Sequence, residues 1–262
     1  MVTAQGERGD IELFHDFVGA EMPVAGSGAY GAAGGTAASI GPFKITGDMA
    51  DTDAGTVSVA VPNGALRLTG TNENGEGMAV GTEVIFDPAL NGTLTMETRV
   101  QRASVADGMV WAGFVNVNED LVNEPLTSAT VTLTGVATNY CGFMLDSQLS
   151  ASATWHCPFK GGDETGPTDS RTVVTGTTNA RNVHSVAAQV AVAAEYDLLR
   201  LDIFRNGTAE WRLNNILVQK QANAVSTSTD LACFVGVFGT TTAVSSLDVD
   251  YLLIKARRSW AR

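Results

Sequence analysis

Charge is scarce in this chain: Asp, Glu, Lys and Arg make up 17% of its 262 residues, against roughly 25% in an average soluble domain. A chain so short of charge, yet free of long apolar runs, buries most of its residues against other protein. Basic residues are the scarcer kind, with Lys+Arg 16 against Asp+Glu 28 and a formal net charge of −12. Phosphate contacts need a clustered basic face, so nucleic acid is excluded as a partner. No stretch approaches the roughly 20 apolar residues of a membrane span, which excludes a membrane-crossing helix. Residues 1–8 hold no apolar signal core, and no secretory export is expected. Three cysteines, Cys141, Cys157 and Cys233, cannot all pair and lack the spacing of a small disulfide framework. They read as buried, weakly polar thiols. Helix signals are nearly missing as well.

What the sequence does have is β-branched residues and turns. Val, Thr and Ile dominate the periodic segments, and turn signals recur every eight to twelve residues or so, the rhythm of an antiparallel sandwich or barrel. The clearest stretch is 198–220. Leu199, Leu201 and Ile203 alternate with Arg200 and Asp202, giving one apolar and one polar face. Asn206-Gly207 follows, a dipeptide suited to positive φ at both central turn positions. Ala209, Trp211 and Leu213 then face one way and Glu210 and Arg212 the other, before a second turn at Asn214-Asn215 and a third strand from Ile216 to Lys220. Further strands are expected at 65–70, 93–102, 109–117, 140–146, 231–238 and 247–256. The last places Leu247, Val249 and Tyr251 on one face and Asp248, Asp250 and Leu252 on the other. Ser185 to Tyr196, although rich in Ala, keeps period two through Val186, Val190 and Val192 and is read as a strand.

Two segments differ in texture. Residues 19–41 hold seven Gly and seven Ala, too small-sided for a core, and read as a loop or extended arm that orders on contact. Residues 160–178, rich in Gly, Thr and Asp, read as an exposed loop. With no internal repeat and no linker, residues 1–262 are expected to form a single domain.

The segment from Tyr196 to Ile203, the turn at Asn206-Gly207 and the return from Thr208 to Asn215 resemble a signature of the concanavalin A-like lectin/glucanase jelly rolls. Leu247 to Tyr251 resembles the closing strand of those folds. The resemblance implies an all-β, two-sheet antiparallel jelly-roll sandwich, with Ile11 to Phe17 pairing near Leu247 to Ala256. A narrower likeness is to structural proteins of tailed bacteriophages that carry this jelly roll. It rests on Phe14-His15-Asp16-Phe17 (with His15 in place of an Asp), Gly64-Ala65-Leu66-Arg67-Leu68 and Glu97-Thr98-Arg99-Val100. That likeness implies a non-catalytic virion protein, a capsid decoration protein or head fibre assembled in the host cytoplasm. It would form a homo-oligomer, with a trimer favoured, and contact other virion proteins such as the major capsid protein.

The chemistry-bearing residues are sparse. Glycosidases on this fold place two carboxylates on one strand, so that alternation sets them on one face for nucleophile and acid. No Glu-x-Asp-x-x-Glu pattern is present. Glu195-Tyr196-Asp197 ends in Arg200, and Glu119, Asp120 and Glu124 read as a solvated acidic loop beside Pro125. Catalytic residues are therefore not assigned. Asp48, Asp51 and Asp53 resemble half of a calcium loop, but Pro62 stands where its closing Glu belongs. His156 and Cys157 adjoin and on a strand face opposite ways, against a shared zinc. No metal or other cofactor is assigned. No Gly-x-Ser-x-Gly elbow occurs.

A glycan-binding module for host surface glycans is the alternative function. Trp155, between polar neighbours and near a loop, is the candidate sugar-stacking platform, while Trp111 and Trp211 read as core. The C-terminal residues 255–262 form a basic tail holding Lys255, Arg257, Arg258 and Arg262 around Trp260. It reads either as a solvated tail or, through Arg257, Arg258 and Trp260, as an assembly interface that docks on an acidic neighbour.

Overall fold

The computed structural model describes residues 9–18, 38–47, 55–59, 64–105, 107–117, 124–129, 132–149, 152–162, 170–172, 190–240 and 244–257. In chain order the elements begin with β1 (Asp10–His15), β2 (Ala38–Ile40), β3 (Phe43–Gly47), β4 (Thr56–Val59), β5 (Leu66–Thr69) and β6 (Gly77–Gly81). The single described helix, α1 (Pro88–Asn91), is one turn long. Its start is dictated locally: Asp87 accepts from the backbone N–H of Ala89 and Leu90, and Pro88 fixes the first helical φ. There follow β7 (Leu94–Gln101), β8 (Met109–Val115), β9 (Leu126–Ala129), β10 (Thr132–Gly135), β11 (Tyr140–Asp146), β12 (Phe159–Lys160) and β13 (Ser170–Thr172). The chain closes with β14 (Tyr196–Ile203), β15 (Ala209–Leu213), β16 (Ile216–Gln221), β17 (Ala232–Phe238) and β18 (Ser246–Arg257).

These strands make three antiparallel layers. The first sheet is eight-stranded, in the order β16-β15-β14-β7-β18-β5-β4, with β1 also on β18. The second is seven-stranded, in the order β12-β11-β8-β17-β6-β3-β2. The third has only β13, β10 and β9. Strict alternation assigns each side chain to a layer. Leu94, Met96, Leu199, Leu201, Leu252 and Ile254 of the first sheet meet Val80, Val110, Phe114, Phe143 and Val235 of the second in one core. Fully burying an aliphatic or Phe side chain of this kind contributes about 1.5–3 kcal/mol. Residues of opposite parity in the second sheet, among them Ala79, Met109, Trp111, Tyr140, Met144, Phe234 and Phe238, form a second core against Leu126 of β9 and Leu133 of β10. The second sheet is therefore covered on both faces, which is why β8, β11 and β17 are buried along their whole length.

The expected meander is present, and β1 pairs with β18 over six rungs from Asp10–Arg257 to His15–Leu252. The two turns of the meander exchange roles, however. Asn214 and Asn215 both take positive φ (51° and 68°), whereas at Asn206-Gly207 only the glycine does (76°). Asn206 instead accepts the Thr208 N–H on its own side chain.

Four expectations change. In β18 a bulge between Val249 and Tyr251 shifts the register, so Leu252 enters the core and Tyr251 turns outward with Asp248 and Asp250. The strand expected over 185–196 is not found in its described part: Val190 makes one bridge to Thr154, and residues 191–195 turn. There Ala191 alone of the described alanines reaches the core, and Ala194, at φ 61°, reverses the chain before β14. Within 160–178, Ser170–Thr172 is not loop but the third strand of the outer layer. Within the Gly/Ala segment, Ala38–Ile40 pairs with β3 across a turn at Gly41, and residues 19–37 lie outside the described ones.

Candidate functional site

Two places gather side chains capable of chemistry. The first is the outward face of the first sheet, where registered pairs place opposite charges on neighbouring strands. Arg67 makes a two-pronged contact with Asp248 (both 2.7 Å), and Arg99 reaches Asp250 (2.9 Å) while its guanidinium lies 4.3 Å above the Tyr196 ring. Asp202 takes Arg200 (3.0 Å), Arg212 (2.9 Å) and the Thr95 hydroxyl (2.6 Å). Glu210 takes Arg212 (2.7 Å) and Lys220 (2.8 Å). Glu12–Lys255 and Asp10–Arg257, both 3.1 Å, continue the ladder onto β1. Arg200 also lies 3.8 Å from Glu97, which accepts the Tyr251 hydroxyl proton (2.8 Å). Burial, followed by that bond, raises the Tyr251 pKa. Seven cations and seven carboxylates thus balance on one face, and the formal −12 is carried by the rest of the chain. Every group in the ladder has a partner within the chain, so the face is a structural device.

The second place lies at one end of the outer core, on the covered face of the second sheet. Asp146 ends β11 with the parity of Tyr140 and Met144, so its carboxylate points into the outer layer; it is 1% exposed. It accepts from the Ser128 hydroxyl (2.5 Å) and the Gln148 N–H (2.8 Å). Burial raises its pKa, while those bonds and Arg102 oppose the rise. Arg102, just past β7, is 4% exposed. Its burial lowers the guanidinium pKa to about 10 against the attraction of Asp107 and Asp146. Glu124 is 7% exposed, and burial, with Asp146 adding repulsion, raises its pKa to about 8. At pH 7 it therefore keeps its proton. Its backbone N–H donates to Gly75 O (3.1 Å), and a Cβ on Gly75 would come within 3.5 Å of its carboxyl. This corrects the reading of Glu124 as part of a solvated loop; Glu119 and Asp120 lie outside the described residues.

Carboxyl groups with displaced pKa values are what acid–base chemistry uses, but these two are closed off. Next to it the second sheet presents rings rather than a groove. Trp111 meets Tyr140 edge-on (centroids 6.1 Å) and Phe234 (6.4 Å), and Phe234 meets Phe238 (6.4 Å). The layer of β9 and β10 sits over them. A proton rests on Glu124, while Asp146 is held by the Ser128 hydroxyl and the Gln148 N–H. The arrangement offers no surface to a polysaccharide.

The candidate platform Trp155 is 2% exposed. Its ring meets Phe143 edge-on (6.3 Å, 87°) and its Nε1–H donates to Asp197 (2.8 Å). Both ring faces are taken by the core, which closes it to sugar stacking. Trp111 and Trp211 are also fully buried. Arg257 is exposed but belongs to β18 and pairs with Asp10; Arg258 and Trp260 lie outside the described residues, as do Asp48, Asp51 and Asp53. His156 and Cys157 are both buried, Cys157 in the core between the two large sheets, and all three cysteines are buried and free. Among the described residues no three His, Cys, Asp or Glu side chains converge on a metal position. Arg102, Asp107 and Asp146 were not singled out by sequence. The available signal was parity: an Asp closing the uninterrupted apolar run of β11 shares the face of Tyr140 and Met144.

No family model matches the chain, and no curated protein matches it in sequence. Among solved structures, a β-glucanase of Bacillus licheniformis superposes with a TM-score of 0.51 at 9% identity, over 95% of this chain and 98% of that one. A protein of unknown function from Shewanella oneidensis MR-1 gives a TM-score of 0.52 at 12% identity, over 100% and 92%. The shared architecture is the concanavalin A-like jelly-roll sandwich, and at such identities the likeness is one of fold.

Proposed function

We propose that this chain is a non-catalytic structural protein of a tailed-phage virion, a capsid decoration protein or head fibre that works as a homo-oligomer, with a trimer favoured. The observation that supports the non-catalytic half is the burial of Glu124 and Asp146 beneath β9 and β10. A glycoside hydrolase needs two accessible carboxyl groups about 5–5.5 Å apart for retention or 6.5–9.5 Å for inversion, and here the two groups are 7% and 1% exposed. The virion half rests on the resemblance carried by Phe14 to Phe17, Gly64 to Leu68 and Glu97 to Val100. The first of these segments is a built feature. β1 ends at His15, whose Nδ1 accepts the Phe17 N–H (2.8 Å), and Phe17, at φ 52°, turns fully into the core. The His15 side chain thus takes the turn-fixing role that a short Asp would have.

Sedimentation of the purified chain tests the assembly. A trimer at micromolar concentration is the expected species, and a monomer at all concentrations overturns it. Incubation with β-glucan and alginate should release no reducing or unsaturated ends; turnover of either would overturn the non-catalytic half. The alternative, a glycan-binding module, loses its named platform to the burial of Trp155, and its readout is a glycan array probed with the intact chain.

A further inference from the structure

We propose that the outward face of the first sheet is the surface on which a second copy of this chain seats, head to tail, through an acidic part of that copy lying off the same face. The inference rests on the homo-oligomer reading above and names the surface through which the copies meet.

The ion-pair ladder that stiffens the first sheet also sorts its charges by depth. The acids lie low: the side chains of Asp202, Asp248 and Glu210 are 6%, 7% and 11% exposed. The cations stand above them, with Arg67, Arg99 and Arg200 at 38%, 48% and 45% and Lys220 at 61%. Side-chain length is the cause. Arg and Lys carry their charge at the end of a long aliphatic stem and keep the head in water, whereas the shorter acids stay near the strand and are covered. Only at the β1 corner are acids as exposed, Glu12 at 48% and Asp10 at 50%. The face is thus neutral in sum and positive at its tips, while the formal −12 lies elsewhere on the chain.

That asymmetry selects the mode of contact. Two copies meeting face to face would bring guanidinium tips together. A copy presenting its acidic remainder brings opposite charges together, which steers the encounter and fixes its orientation. A head-to-tail contact leaves one surface of each kind open at either end, and it is satisfied by closing into a ring, as a cyclic trimer does. Apolar burial then holds what charge has steered. Phe14 stands opposite Leu253, and Tyr251 stands opposite Arg99 with Leu198 beyond it. The Phe14 and Tyr251 rings are 6.1 Å apart, and all four apolar side chains are half-buried. An apolar centre within a polar rim is the anatomy of a protein–protein contact. Because the rim charges are already paired within the chain, covering them strands none.

Sedimentation velocity of the intact chain across a salt series reads this. Between about 0.1 M and about 1 M salt the screening length falls from about 10 Å to about 3 Å, and the dissociation constant of the wild-type assembly should rise by on the order of tenfold. Arg99→Gln combined with Arg200→Gln removes two tips, yet leaves Asp202 with Arg212 and Thr95, and Glu97 with Tyr251. It should weaken assembly by on the order of tenfold at low salt and flatten the salt dependence, whereas the corresponding pair of Lys substitutions should keep both. Leu90→Ser, an exposed apolar position on α1, should change neither. Zero-length carbodiimide coupling locates the contact: between copies, Lys220 and Lys255 should join carboxylates that lie off this face. An assembly indifferent to salt and to the Gln pair, or couplings that join face to face, overturns this inference and leaves the oligomer standing. A wild type that is monomeric at low salt overturns both. If the Gln pair loses its far-ultraviolet circular dichroism, the wild-type salt series and the coupling decide.

Discussion

Replacing Trp155 with Ala separates a core residue from a surface platform. In the structure the indole is 2% exposed, stands edge-on to Phe143 and donates to Asp197. Removing a buried Trp side chain costs about 3–5 kcal/mol, the transfer of the ring plus the cavity it leaves. A chain of this size has only about 5–15 kcal/mol in total, and at roughly 2–4 °C per kcal/mol the melting temperature should fall by on the order of 10 °C. Trp155→Phe keeps most of the ring but strands one oxygen of Asp197, whose other oxygen still accepts from Asn214 (2.9 Å). That variant should cost about 1–2 kcal/mol. Urea unfolding followed by far-ultraviolet circular dichroism, with calorimetry alongside, measures both. Were Trp155 a platform open to sugar, the Ala variant would stay within about 0.5 kcal/mol of wild type. A loss below about 1 kcal/mol at unchanged denaturant slope would refute the core assignment.

Gly142→Ala places a methyl 2.6 Å from the Trp111 ring and 2.8 Å from Ala112 O, so β8 and β11 must part; a loss of about 1–3 kcal/mol is expected by thermal melt. Cys141, Cys157 and Cys233 are buried and their pKa values raised by that burial. Ellman's reagent should therefore find no thiol in native protein at pH 8 and all three in urea. Asp202→Asn leaves Arg200 and Arg212 short of their shared carboxylate. Because both cations are partly solvated, the cost should be about 1–2 kcal/mol and shrink in high salt, as read by urea titration. Tyr251 is the phenol held by Glu97, and its folded pKa is raised, so stability is lost as pH climbs above the ordinary value of 10.0. Tyr251→Phe should remove one late-titrating phenol from the ultraviolet alkaline titration.

Period-two patterning made the meander and β7 legible, because each is long enough for alternation to register, whereas β8, β11 and β17 were legible as continuous apolar runs. The closing of β1 on β18 was legible through the family resemblance. The outer layer was not. β9, β10 and β13 are three or four residues each, rich in Thr and Ser, and nothing in a four-residue run says which face will be covered. Trp155 misled for a related reason. Its polar neighbours suggested water, whereas Thr154 bridges Val190, His156 pairs with Met144 through the backbone, and Asp197 takes the indole N–H. Polar groups satisfied within the protein look in sequence like polar groups satisfied by solvent. The scarcity of charge, read as a surface meant for neighbours, acquires a second meaning. Nearly half the cations are spent on one self-paired face, and Asp146 with Glu124 is hidden under another.

The pairing of β1 with β18 also sets how the fold bears force. The rung Asp10–Arg257 is the outermost of six, so the two strands leave the sheet side by side at that corner. A pull applied between residues 10 and 257 meets one rung at a time and peels the ribbon open like a zip. A pull along β18 against β7 would instead have to break its whole row of rungs at once. The sandwich is therefore mechanically anisotropic: soft when stretched from this corner, stiff along its longest strand. Built into a particle under internal pressure, such a subunit would hold best when gripped by its sheet faces.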